Sequence, residues 1–369
     1  MSQFEPIDKA VSDVRWDLTD LYNDIDDPSL TEDLTNLLSA LKDFHEAYAG
    51  ALASRLGDAL DAQAKITCRA DQLMLYLFLR RSTDATNQRI QQRLAQVQEA
   101  FAEASANHMT FFEHEIAALA DTDYAALIGS DARVARHQPM LDQIRANRDY
   151  LLSEQVERAL HLRAPFTASE WSDYIDEREA ELRFEIGKKT LTLPEILHVA
   201  NNDPDAQARA KALSAFSTGL TDQGFDKLMA RTLNVVLGAK SVEDRERGYA
   251  NPMSARNISN QVDDATVEAL HEAVAEVGAA QSRRYYRLLA KHLDKPTLAW
   301  SDRNAPLPFA SQETVLWTNC VETVLDAYGS FSPTLRDLIA TMLDRAWIDA
   351  PPYEGKGGGA FNYSVLLPS

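Results

Sequence analysis

Apolar residues return every three or four positions along most of this 369-residue chain, the spacing that lays one apolar stripe along an α-helix. From about residue 30 to 112 the rhythm is nearly continuous, and Ile90, Leu94, Val97, Phe101 and Ala104 form one clear stripe. Short polar breaks at 82–87 and 121–123 divide it into long segments, the pattern of antiparallel helices joined by compact loops. A second helical stretch is predicted over 138–162. A third starts near Ser169, with Trp171, Tyr174 and Ile175 on one face.

The period then switches. Leu182, Phe184 and Ile186 alternate with charged residues, Gly187-Lys188-Lys189 follows, and Leu191 and Leu193 resume the alternation, which predicts a short β-hairpin. Thr192-Leu193-Pro194-Glu195 has capping-box spacing, and Asp203-Pro204 pairs an N-cap residue with proline at the first helical position. A long amphipathic helix is expected over 265–293, with Val267, Leu270, Val274 and Val277 on one side. Trp300 to Phe309 reads as a proline-punctuated loop, and helix returns over 313–328 and again after Ser332-Pro333. Glycine-rich 353–359 leads into apolar 360–367, which reads as a turn entering a strand. The expected fold is mainly α, helical hairpins and a bundle, with small sheet elements at about 182–192 and 358–367.

Charge narrows the partners. With 37 basic against 56 acidic residues the net charge is -19, which repels phosphate backbones and anionic membranes, so neither nucleic acid nor membrane is an expected partner. The two cysteines, Cys68 and Cys320, have no C-x-x-C spacing and suggest neither a disulfide framework nor a thiolate zinc site. The first twenty residues lack the apolar core of a secretory signal, no apolar run approaches a membrane span, and a cytoplasmic setting is expected. At this length two or more packed units are expected.

The motifs mostly exclude chemistry. A zinc peptidase helix presents H-E-x-x-H, because two histidines four apart share one helix face while the glutamate activates water. His45-Glu46, His114-Glu115 and His271-Glu272 start that pattern, but Ala49, Ala118 and Ala275 stand where the second histidine belongs. Gly355-Lys356-Gly357-Gly358-Gly359 fails the P-loop pattern, since Gly357 follows the lysine, and no G-x-S-x-G is present. The glycines could instead admit a neighbouring backbone, such as an extended peptide added to a sheet edge, or form a plain turn. Tyr285-Tyr286 among Arg283, Arg284 and Arg287 reads as helix packing and ion pairs.

Several strings, in order, resemble the M3 zinc metallopeptidases of oligoendopeptidase F type. They are Trp16-Asp17-Leu18-Thr19-Asp20-Leu21-Tyr22, then Leu152-Ser153-Glu154-Gln155-Val156-Glu157, Trp171 and the alternating 182–192 segment. Further on come Tyr285-Tyr286-Arg287-Leu288, the segment 298–307 around Trp300-Ser301-Asp302-Arg303-Asn304, and 355–361, which is similar to a Gly-Lys-x-x-Gly-Ala-aromatic string. The resemblance implies helical hairpins forming one wall of a deep peptide cleft. It divides the chain into an N-terminal helical region (1–112), an oligopeptidase F-type helical region ending in the hairpin (113–199) and part of a catalytic domain (200–369).

It also implies zinc as cofactor, short peptides as substrates and hydrolysis by zinc-activated water. In family order the zinc helix and the other catalytic residues follow Gly359, and no catalytic or metal-binding residue carries over onto this chain. The tail from Asn362 onward departs from the family pattern, which leaves open a truncated gene, a frameshift, a fragmentary read or a split protein whose other half is a separate chain. The expectations are therefore a metalloendopeptidase by resemblance, inactive in these residues alone and binding no zinc by itself, or alternatively a non-catalytic helical protein that binds peptides or a partner. The one site expectation is substrate contact by Gly358, Gly359, Ala360 and Phe361.

Overall fold

A computed structural model describes residues 11–309, 315–351, 353, 355–356 and 359–364. Its first layer is built from three long antiparallel helices, α1 (Pro28–Tyr48), α2 (Leu56–Thr83) and α3 (Gln88–His108), closed by α4 (Thr110–Ala118). The starts are sharply specified. Asp27 caps α1, its carboxylate accepting from the Ser29 N–H at 2.9 Å with Pro28 in the first turn, and Asn87 caps α3 by accepting from the Arg89 and Ile90 N–H groups.

Leu30, Leu34, Leu37, Leu41 and Phe44 point one stripe of α1 inward against Leu73 and Leu77 of α2, Leu94 and Val97 of α3, and Phe111 and Phe112 of α4, all buried. Each such side chain contributes about 1.5–3 kcal/mol of burial, so this layer anchors the molecule. The loop between α1 and α2 turns at Gly50, φ +76°, and is held from α4 by Glu115, whose carboxylate accepts from the Gly50 N–H at 2.6 Å.

The short helices α5 (Asp121–Ser130), α6 (Ala132–Arg136) and α7 (Gln138–Ala146) extend this core through Val134 and Leu141. Next, α8 (Glu154–Arg163) packs on α3 and α4, and α9 (Ala168–Glu181) leads to the hairpin of β1 (Phe184–Ile186) and β2 (Lys189–Leu191). The strands pair antiparallel, Phe184 opposite Leu191 and Ile186 opposite Lys189, with Gly187 turning at φ +65°. The expected hairpin over 182–192 is therefore present, and among the described residues these are the only strands.

Phe184 is buried and drives the second core with Leu182, Ile196, Ala200, Ala212 and Phe225. Its ring leaves no room for a side chain at position 219, where a Cβ would sit 2.6 Å from Phe184 Cδ1, so Gly219 is fixed by close approach. This core joins α10 (Leu193–Asn202), α11 (Ala206–Asp222) and α12 (Phe225–Arg247).

At the start of α10, Glu195 accepts from both the Thr192 N–H and its hydroxyl at 2.8 Å, the half of the capping box made by the glutamate. The cap of α11 falls two residues after the expected Asp203: Asp205 accepts from the Gln207 N–H at 3.0 Å, while Asp203 accepts from the Asp205 N–H at 2.8 Å. Two aspartates in series make an Asx turn feeding a cap, which the Asp-Pro pair alone did not reveal.

Beyond α13 (Ser254–Ser259) comes α14 (Asp264–His292), 29 residues long, close to the predicted span. Its only buried residue is Leu289, and Leu270, Val274 and Val277 stand 63%, 59% and 53% exposed. Finally α15 (Trp317–Phe331) and α16 (Pro333–Asp344) form a hairpin around Val321, Leu325 and Ala340. The second expected strand is not borne out. Residues 359–364 adopt no strand and pair with no edge, and the rest of 358–367 lies outside the described residues.

Candidate functional site

Several of the sequence strings singled out above are places where distant layers are fastened. In 298–307, Asp302 is 1% exposed and accepts from Arg209 of α11 at 2.6 Å, from Lys295 at 2.6 Å and from the Ala299 N–H at 3.0 Å. Burial raises its carboxyl, but Lys295, Arg209 and that N–H outweigh it and hold the group at about 2. Arg209, itself buried, also donates to the Asp203 carbonyl at 2.7 Å and the Ser301 carbonyl at 3.1 Å.

In 152–157, Glu157 forks onto Arg247 at the end of α12 at 2.6 and 3.0 Å and takes the Leu152 N–H at 2.9 Å. Burial pushes this carboxyl up, and the guanidinium pulls it below its ordinary value. Tyr150 stacks on Tyr249 beside it, centroids 4.4 Å apart.

The N-terminal string and the glycine-rich tail meet each other at the end of α2. The Asp17 N–H donates to the Ala346 carbonyl at 2.7 Å, the Ala350 N–H to the Val14 carbonyl at 3.0 Å, and the Trp347 indole to Asp20 at 2.9 Å. Lys356 is spent inside the tail, donating to the Asp349 carboxylate at 2.5 Å and to the Asp349 and Pro351 carbonyls at 3.0 Å. The Tyr353 hydroxyl, pushed up to about 12 by burial and by Asp349, donates to the same carboxylate at 3.1 Å. Gly355, φ +84°, passes so close to the loop before α3 that a Cβ would lie 3.3 Å from Asp84 Oδ1, and its carbonyl takes the Ala85 N–H at 2.8 Å. Lys356 is thus a buckle and not a phosphate ligand.

Of the residues expected to contact substrate, Gly358 lies outside the described residues. Gly359, at φ +90°, and Ala360 are exposed. Phe361 is half exposed and leans on Phe78 of α2 at 5.4 Å and on Trp16 at 6.5 Å; Tyr363 meets Phe78 at 5.7 Å. The result is a surface cluster of four aromatic rings beside a cavity of about 400 Å³ whose walls include Trp16, Asp17, Tyr22, Arg80 and Asp349. Sequence reasoning missed Arg80 and Asp349, which sit in ordinary helical and loop contexts with no motif around them.

The histidines do not converge on a metal. His114 lies with its ring nitrogens 3.0 and 2.9 Å from the Thr110 and Leu152 carbonyls, and His45 meets His108 edge-on at 5.7 Å. Among the described residues no group of three or more His, Cys, Asp or Glu side chains is placed to hold a metal ion, so the residues present do not fit the zinc that the resemblance implies.

Comparison with known proteins bears on this arrangement in two independent ways. Residues 115–184, from Glu115 through α9 to the start of the hairpin, match the oligopeptidase F family. The crystal structure of oligoendopeptidase F from Enterococcus faecium superposes with a TM-score of 0.67 at 18% identity, covering 86% of this chain. The chain therefore has the oligoendopeptidase F fold, with the family match itself confined to 115–184. A PZ peptidase A solved with an inhibitor superposes over 97% of the chain with a TM-score of 0.62 at 14% identity, and at such identities these likenesses establish the oligoendopeptidase F fold.

The chain spans 66% and 57% of the lengths of those two proteins. A glutamate–tRNA ligase of Caulobacter sp. (strain K31) is 26% identical over 178 residues, 47% of this chain and 32% of that protein. The helical architecture expected from periodicity is that of the oligoendopeptidase F structures, and no helix among the described residues is long and apolar enough to cross a membrane.

Proposed function

We propose that the chain is the front body of a metalloendopeptidase that hydrolyses short peptides, and that these 369 residues supply a peptide-holding wall and not the hydrolytic centre. The observation that carries this reading is the oligopeptidase F match at 115–184 on a fold shared with oligoendopeptidase F over 86% of the chain. Zinc in such a peptidase supplies an activated water, and no residue described here is placed to hold it. The chain's own residues do the positioning: Asp302, Glu157 and Lys356 lock the layers so that the walls keep one shape.

Peptide contact belongs at 358–361, where exposed backbone after Gly359 and the half-exposed Phe361 ring offer hydrogen bonds and an apolar anchor. The portion of the longer solved proteins that these residues do not span is the partner of this reading, whether on one polypeptide or two. The exposed stripe of α14 supports a covered face there. A cytoplasmic setting belongs to the same proposal and is supported by Cys68 and Cys320 each standing free.

A second reading, a binding protein that holds peptides without cutting them, draws on the same lack of a metal cluster among the described residues. The experiment is fluorescence anisotropy with labelled peptides of five to ten residues (roughly the reach of an extended chain across a small domain), followed by mass spectrometry of the peptides. Saturable binding that weakens in Phe361→Ala, with the peptides recovered intact, supports the proposal; absence of binding, or binding that ignores the substitution, refutes the assigned contact.

A further inference from the structure

Two opposite charges line the cavity beside the N-terminal string without an ion-pair partner among the described residues. Arg80 is partly buried near the C-terminal end of α2; its carbonyl accepts from the Thr83 hydroxyl at 3.0 Å, but its guanidinium makes no hydrogen bond, ion pair or ring contact with any described residue. Two nearby arginines are engaged: Arg81 holds Asp173 at 2.6 Å and Arg89 holds Asp26 at 2.6 Å. A guanidinium drawn partly out of water without a partner is costly, and a ligand carboxylate would relieve that cost through two parallel hydrogen bonds.

Asp17, an exposed residue on the same cavity's lining, accepts from the Thr19 N–H at 2.9 Å through Oδ1, which lowers its carboxyl and keeps it ionised, while no described cation pairs with it. The other acid on the wall, Asp349, is taken by Lys356 and the Tyr353 hydroxyl. One turn before Arg80, Tyr76 lies buried behind the cavity wall, edge-on to the lining Tyr22 at 5.1 Å.

We propose that this cavity binds a small zwitterion, a free α-amino acid or a dipeptide, with the ligand carboxylate on Arg80, its ammonium on Asp17 and its side chain between Trp16 and Tyr22. The volume, about 400 Å³, suits a molecule of that size. A bare inorganic dianion fits poorly, because among the described lining residues Asp17 and Asp349 share the wall with Arg80. A divalent cation fits no better, since Asp349 is already committed to Lys356 and only Asp17 remains. The site holds whether or not these residues take part in peptide hydrolysis, and its test reads binding alone. If the peptidase reading also stands, such a site would sense the small products of cleavage.

The test is calorimetric titration of the full chain with leucine, glycyl-leucine, N-acetyl-leucine and leucinamide, the last two lacking one of the two charges. Leucine or glycyl-leucine should bind saturably, each capped compound about tenfold or more weaker, which one charged hydrogen-bonded pair supplies. Which of leucine and glycyl-leucine binds tighter identifies the ligand source. Arg80→Gln should erase the preference for a free carboxylate while keeping the preference for a free ammonium, and Asp17→Asn should do the reverse. Thermal unfolding of Arg80→Gln should match the parent, because the Arg80 guanidinium makes no bond to lose; if it does not, Arg80→Lys, which keeps the charge without the fork, takes its place and should bind at intermediate strength. No saturable heat at about 10 mM ligand, a concentration that populates even millimolar sites, or equal binding of capped and uncapped compounds, overturns the proposal.

Discussion

At the scale of single residues the molecule is organised by a few charges placed where water cannot reach them. Asp302 is the sharpest case, a carboxylate enclosed by Arg209, Lys295 and a backbone N–H. Asp302→Ala leaves the buried guanidinium of Arg209 without its counter-charge and should lower stability by about 3–5 kcal/mol in urea unfolding. The sign of its pH effect follows from the held value of about 2 against an unfolded aspartate near 4. Its contribution is complete above about pH 4 and fades as pH falls toward 2, so Asp302→Asn should flatten the acid limb of the stability curve in that window while Glu157, shifted in the same direction, preserves a remaining slope. The sequence exposed Asp302 as part of a string and not as a buried ion, because Arg209 lies 93 positions away and nothing local marks it as the partner. Arg80 was equally invisible: beside Arg81 it reads as one more exposed helical cation, and only the folded chain shows that one arginine is paired and the other is not.

Elements were far more legible than charges. Helix periodicity located α1 to α3 and α14, since a stripe of apolar residues at three- and four-residue spacing has one favourable way to bury itself. The hairpin was legible for the opposite reason, a change to period two around a glycine able to take positive φ. Over 359–364 the strand expected at 358–367 did not form, because a short apolar run after glycines specifies an extended segment only when a sheet edge is available to pair with it. In its place the tail is clasped by Lys356 and by the turn at Gly355. Gly355→Ala must hold a side chain at φ +84° against Asp84, at a cost of about 1–2 kcal/mol local to the tail. Limited proteolysis should then cut the segment after Trp347 several-fold faster with the global unfolding midpoint little changed; an unchanged cutting rate would mean that the clasp does not hold the tail.

At the scale of the whole molecule the layers divide unevenly between buried and bare. The first four helices enclose a continuous core, while α14 keeps one buried residue in 29 and offers Leu270, Val274 and Val277 to solvent. Apolar surface of that kind drives association, so the chain should self-associate in sedimentation at tens of micromolar (roughly the range in which weak apolar contacts populate), and a triple change of these three residues to serine should restore a monomer without altering the helical circular dichroism. The central claim, that these residues form a peptidase body without its hydrolytic centre, rests on the absence of H-E-x-x-H in the sequence and of any three-ligand cluster among the described residues. Zinc content of the purified chain, measured by mass spectrometry after dialysis against micromolar zinc, tests it most directly. The account predicts zinc far below one per chain and no chelator-sensitive cleavage of a quenched fluorescent peptide in the same sample; one tightly held zinc per chain with chelator-sensitive cleavage would contradict it.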